Sequence, residues 1–187
     1  FFLQGVTEGY RLTAHPLAST AVVAQPRFQS YSSGDSDYLA GMGNRNRTAE
    51  AGLTFSSRWG RWRFSSRAVS DVLGVHEGQE VDAGLSVQFG GPGLTVAPGV
   101  GVSWQSARLV DYYYGVRAGE ARPDRPAYAG SAATNRYARL LVRYRFARRW
   151  AVLGMGKVTR LDGAIHDSPL VNRRHVGSGV FALTYSF

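Results

Sequence analysis

The chain has 187 residues, with 22 Lys+Arg against 13 Asp+Glu and a formal net charge of +9. It contains no Cys, which excludes a disulfide scaffold and a thiolate metal site; 44% hydrophobic and 12% aromatic residues exclude disorder. No unbroken apolar run reaches the roughly 18 residues of a membrane helix, so a helical membrane protein is excluded as well.

The length suits a single domain, 1–187. Lys157 is the sole lysine, so the basic excess is carried by arginine. Arginine is weakly hydrated and forks onto carboxylate or phosphate. Nucleic acid, anionic lipid and acidic polymers are therefore the partner classes the charge admits.

Period-two alternation runs along the chain. After a long polar stretch near Ser30–Asn46, residues Ala49, Ala51, Leu53 and Phe55 oppose Glu50, Gly52, Thr54 and Ser56. A short turn near Ser57–Gly60 follows. Trp62, Phe64, Ala68 and Val72 then oppose Arg63, Ser65, Arg67 and Asp71. Beyond a second short turn near Gly74–Gly78, Val81, Ala83, Leu85, Val87 and Phe89 oppose Glu80, Asp82, Gly84, Ser86 and Gln88. Gly90-Gly91-Pro92-Gly93 reads as a hairpin turn, since it lacks the Lys-Ser/Thr of a phosphate loop. Leu94 to Trp104 resumes the alternation.

A long segment near Ala118–Asn135 leads to a strand with Ala138, Leu140, Val142, Tyr144 and Phe146 on one face. Arg139, Leu141, Arg143 and Arg145 lie on the other. A short turn at Ala147–Arg149 and a long loop near Asp162–Arg174 precede the last strand. There Phe181, Leu183, Tyr185 and Phe187 oppose Val180, Ala182, Thr184 and Ser186. About ten strands result, and no 3.6-residue period stands out.

Alternation alone does not separate a soluble barrel from a transmembrane one. Three features favour the membrane. The strands, at about 9–13 residues, exceed soluble lengths and match a tilted membrane crossing. The polar faces carry small residues and paired signs, such as Arg63 and Arg67 against Glu80 and Asp82, which suits a packed lumen. Aromatics gather near strand ends (Trp59, Trp62, Trp104, Tyr112, Tyr113, Tyr114, Phe146, Trp150) as an interfacial girdle. The fold expected is an all-β, antiparallel transmembrane β-barrel with short turns at one end and long loops at the other. In it, Arg139, Arg143 and Arg145 face the lumen, with Glu50, Asp71, Glu80 or Asp82 to neutralise them. Arg117, Arg122, Arg125, Arg173 and Arg174 fall in or beside the long loops, where they could meet lipopolysaccharide phosphates; the competing reading, favoured for any single arginine, is a solvated loop. The lumen placement of Arg139, Arg143 and Arg145 argues against nucleic acid, which would want them exposed beside stacking aromatics.

The second half resembles the MipA/OmpV family of Gram-negative outer-membrane proteins. The resemblance is carried by Asp111-Tyr112-Tyr113-Tyr114-Gly115-Val116, Tyr128, the arginine-rich strand Tyr137–Phe146 with Trp150, Leu161-Asp162-Gly163, Asp167-Ser168-Pro169-Leu170-Val171 and the closing Gly177–Phe187. Asp37–Met42 and Arg47 agree more loosely. It implies an outer-membrane location and a carboxy-terminal signal, Tyr185 and Phe187, read by the barrel assembly machinery. It also implies a signal peptide and further strands ahead of Phe1, so that about ten strands here belong to ten to twelve. The family's named member is a non-enzymatic scaffold, joining a lytic transglycosylase to a penicillin-binding protein during murein growth. No cofactor is implied.

Alternatives remain open at this point: a small anion-preferring porin, a lipid-modifying hydrolase and a soluble ligand-binding barrel. The hydrolase would rest on His166-Asp167-Ser168, where a nucleophile, a base and an acid are adjacent in sequence. The competing reading makes Asp167-Ser168-Pro169 a structural turn. His15, His76, His166 and His175 show no metal-ligand spacing.

Overall fold

The computed structural model describes residues 2–4, 7–15 and 17–185. One antiparallel sheet holds β1 (Phe2–Gln4), β2 (Thr7–His15), β3 (Ala18–Arg27), β4 (Thr48–Trp59), β5 (Trp62–Asp71), β6 (Gln79–Val87), β8 (Leu94–Gln105), β9 (Ala133–Arg145), β10 (Trp150–Arg160) and β11 (His175–Tyr185) in sequence order. The two-residue β7 (Phe89–Gly90) pairs with β8 beside this path. Each strand pairs with its neighbour in sequence, the up-and-down topology of a barrel.

The sheet curls until side chains from non-adjacent strands meet. Arg27 of β3 reaches Glu80 of β6 at 2.7 Å, passing over β4 and β5. Arg139 of β9 comes within 3.5 Å of Ser65 Oγ on β5. Small residues make room for this. A Cβ at Gly101 would overlap the Tyr137 ring, and one at Gly84 would lie 2.8 Å from its hydroxyl. The two glycines let Tyr137 lie across β8 and donate to Asp82 at 2.9 Å.

The exposed face is the apolar one. Leu53 is 51% exposed, Val100 61% and Val158 56%, while Glu50 is 1% exposed and Glu80 8%. A soluble barrel has the opposite polarity, so the outward face is built for lipid. Trp59, Trp62, Tyr144, Phe146 and Trp150 are exposed around the short-turn end, as an aromatic girdle requires. The period-two reading thus gave the correct faces for β4, β5, β6, β8 and β9.

Two details differ from the sequence reading. Residues 72–78 form a short connection, yet they lie at the end of the long loops, because strand direction alternates and this is the β5–β6 crossing. Residues Ala107–Tyr114 form a helix, α1, rather than a strand. Leu109, Val110 and Tyr113 lie on its buried side at helical spacing. Tyr112 and Tyr114 are half-buried, so the tyrosine triplet is no part of the girdle. A second helix, α2 (Gly163–His166), is a single turn capped by the Asp162 carboxylate, which accepts from Ala164 N–H.

Candidate functional site

At the long-loop end, four connections lock into a cap. The Asp111–Val116 block supplies one set of the bonds. The Asp111 carboxylate accepts Gly130 N–H at 2.8 Å. The Tyr112 carbonyl accepts Arg45 Nε at 2.6 Å, and its hydroxyl accepts Asn46 N–H at 2.9 Å. Tyr113 donates its hydroxyl to the Asn46 carbonyl at 3.1 Å. The Tyr114 carbonyl accepts Ser168 Oγ–H at 2.6 Å. Val116 exchanges both backbone hydrogen bonds with Tyr128. Gly115 is required by close approach, since a Cβ there would overlap the Asp111 carbonyl. The two sequence blocks that carried the family resemblance therefore meet in space through Tyr114 and Ser168.

An ion pair sits inside the cap. Arg45 is 2% exposed and lies 2.9 Å from Glu120. Burial pushes the Glu120 carboxyl up. The Arg45 guanidinium and the N–H groups of Arg117 and Gly43 outweigh that and hold it at about 2. Burial pushes the Tyr113 phenol up to about 12. His76 is buried beside Tyr113, with ring centroids 5.7 Å apart. Burial and the Arg27 charge hold His76 below its usual value, against the opposing pull of Asp71, Glu50 and Glu80. Its Nδ1 accepts Gly78 N–H at 2.9 Å. Sequence reading missed Arg45, Glu120 and His76. A loop arginine and a loop glutamate 75 residues apart give no local signal.

The sequence reads Arg125 as a loop arginine open to solvent or to lipopolysaccharide. It is fully buried instead, donating to the carbonyls of Tyr38, Ala40 and Glu120. Arg122 is turned toward Tyr38 and Asp124. Arg117, Arg173 and Arg174 remain exposed. Pro169 offers its carbonyl to the Tyr38 hydroxyl at 2.9 Å.

The hydrolase constellation does not assemble. His166 Nδ1 lies 2.9 Å from Asp167, but Ser168 points into the cap, 2% exposed, with its proton on the Tyr114 carbonyl and its oxygen accepting Leu170 N–H. A nucleophilic serine needs its own base within reach. Here the motif is a turn that staples two loops.

Below the cap, the lumen charges are paired. Glu80 takes Arg27 at 2.7 Å, Arg67 at 3.1 Å and Gln105 at 3.1 Å. Glu50 takes Arg27 at 2.6 Å and Gln25 at 3.0 Å. Asp82 is bound to Tyr137, and Asp71 to Thr48 and the His76 and Glu77 N–H groups. The expected neutralisation of Arg139, Arg143 and Arg145 by these acids is not what the register builds. Asp82 is level with Asn135, whereas Arg139 is level with Ser86, four residues further along. At the rise of a strand this is about 13 Å. Arg63, Arg139, Arg143 and Arg145 form no ion pair among the described residues. At the carboxy-terminal end, Tyr185 packs on Trp150 with ring centroids 4.8 Å apart. Phe187 lies outside the described residues.

A lipid-facing antiparallel barrel with a polar lumen and a folded loop cap is the architecture of a bacterial outer-membrane protein. The sequence comparisons narrow this. The family model described as "MltA-interacting protein MipA" matches residues 1–187, and the chain belongs to that family. It is 31% identical to the MltA-interacting protein of Escherichia coli (strain K12), over 100% of this chain and 77% of that protein. It is 26% identical to the putative outer membrane protein YiaT of the same strain, over 100% of this chain and 77% of the relative. Outer membrane protein OmpV of Vibrio cholerae is 28% identical over 76% of this chain and 56% of its own length. No solved structure matches. The protein is thus an outer-membrane β-barrel.

Proposed function

We propose that this protein is a non-enzymatic scaffold, holding murein-modifying enzymes against the periplasmic face of the outer membrane. The observation that carries the reading is the difference between the two ends. The loop end is tied across by Tyr114–Ser168, Arg45–Glu120 and Tyr38–Pro169. The short-turn end bears aromatic and arginine side chains. Bacterial barrels place short turns in the periplasm, so the chemically rich rim faces the murein. The Escherichia coli relative is named for interacting with MltA, and a lytic transglycosylase is accordingly the first partner to test. A bifunctional penicillin-binding protein is the second, and the barrel assembly machinery and lipopolysaccharide are partners of biogenesis and residence.

The test is retention of a purified lytic transglycosylase, then of a penicillin-binding protein added to it, on the full-length protein in detergent micelles. Retention of both together supports the scaffold. Retention of neither overturns it. The cap also sets an expectation for planar bilayers: the full-length protein should give no sustained openings. Steady anion-selective conductance would instead make it a porin.

A further inference from the structure

The short-turn end of the lumen holds a cationic cluster that the fold leaves uncompensated. Arg58 and Arg63 are directly opposed in the β4–β5 register, on the lumen face. Like charges set opposite each other destabilise a sheet. Arg139 approaches from β9, crossing β8 above Gly99. A Cβ at position 99 would lie 3.3 Å from Arg139 Nε, so glycine keeps that path open. The guanidinium ends 3.5 Å from Ser65 Oγ, one inward step along β5 from Arg63. From the other side, Arg11 of β2 joins His15, Ser19, Ser56, Arg58 and Arg63 around a cavity of about 220 Å³. The Ser19 and Ser56 hydroxyls are 2.9 Å apart in its wall. None of Arg11, Arg58, Arg63 or Arg139 forms an ion pair among the described residues.

We propose that this mouth is a binding site for a phosphate group. Three guanidinium groups from separate strands converge on one cavity, with a fourth behind them. A single carboxylate would leave most of that charge unanswered, whereas a phosphate brings up to about two charges and several acceptor oxygens. Arginine forks match those oxygens two at a time. The serine hydroxyls supply neutral donors. Free phosphate and the head group of a phospholipid whose leaflet meets the short turns share this chemistry. The site stands independently of the scaffold reading.

Thermal unfolding of the full-length protein in detergent, followed by gel mobility of unboiled samples, reads the site out. Inorganic phosphate should raise the transition temperature above that in chloride at matched ionic strength. In Arg63→Gln that rise should disappear, with an apparent affinity about tenfold weaker, the loss expected for one charge-assisted contact. Arg58→Gln serves if Arg63→Gln does not fold, and Arg67→Gln, whose partner is Glu80, should keep the phosphate response. Vesicles of phosphatidylglycerol in place of free phosphate identify the source: a larger shift with the lipid assigns a head group, a larger shift with free phosphate assigns the soluble ion. Equal transitions in phosphate and chloride for the native protein, or an undiminished response in both arginine variants, would overturn the site.

Discussion

The two ends of the lumen use the same residue type in opposite ways. Near the cap, Arg27 and Arg67 are held by Glu50 and Glu80 at 2.6–3.1 Å. Near the short turns, Arg58 faces Arg63 across the register, and neither forms an ion pair among the described residues. Charge removed from bulk water is tolerated when paired, and pairing of this kind fixes geometry. Charge left unpaired at a wet rim is available to something outside the chain. The paired end is therefore the structural end, and the unpaired end is the one open to ligands.

That contrast can be broken most severely from within the cap. Arg45→Ala leaves Glu120 buried without its partner and should cost about 3–5 kcal/mol, the scale for breaking a buried pair. Limited proteolysis of the loops, faster than in the native protein, is the readout. Glu80→Gln makes the upper lumen more like the lower, taking the carboxylate from Arg67 and leaving Arg27 with Glu50 alone. It should cost about 2–3 kcal/mol, read as a lower unfolding temperature on unboiled gels.

Acid tests the cap without mutation. The Glu120 carboxyl is held at about 2, below its unfolded value, so the stability it contributes is present above the ordinary carboxylate range and lost as pH falls toward about 2. His76 also has a depressed value, because it is buried neutral. Its unfolded form binds a proton first, so stability declines as pH falls through the ordinary histidine range. His76→Gln should remove the first, near-neutral part of the decline and leave the carboxylate part. Smallest is Arg63→Gln. In phosphate-free buffer it relieves the opposed pair and should stabilise the barrel by about 0.2–1 kcal/mol. A fall in stability there would mean that the mouth arginines are not in conflict.

Much of the barrel was legible before any coordinates. The faces of β4, β5, β6, β8 and β9 follow from alternation, because the side-chain period of a strand is two and lipid demands one apolar side. The cap was not legible. The Asp111–Val116 block was visible as a signature, but its tyrosines read as strand aromatics. Their helical side emerges only when Leu109, Val110 and Tyr113 are seen together. Its purpose rests on bonds such as Tyr38 to Pro169, 131 residues apart. His166-Asp167-Ser168 looked like chemistry in one dimension. In three, the Ser168 hydroxyl is taken up by the Tyr114 carbonyl and Leu170 N–H.

The sequence by itself determined the fold class, the lipid-facing side and the family. The first two depend on composition and on a repeat that every strand carries, and the family on local blocks such as Asp111–Val116 and Asp167–Val171. Only the tertiary structure decided which charges are answered. That is a matter of register: a shift of four residues between Asp82 and Arg139 separates a neutralised lumen from an open cationic mouth. No count of +9 distinguishes the two, because net charge adds over the chain while pairing acts over a few ångströms.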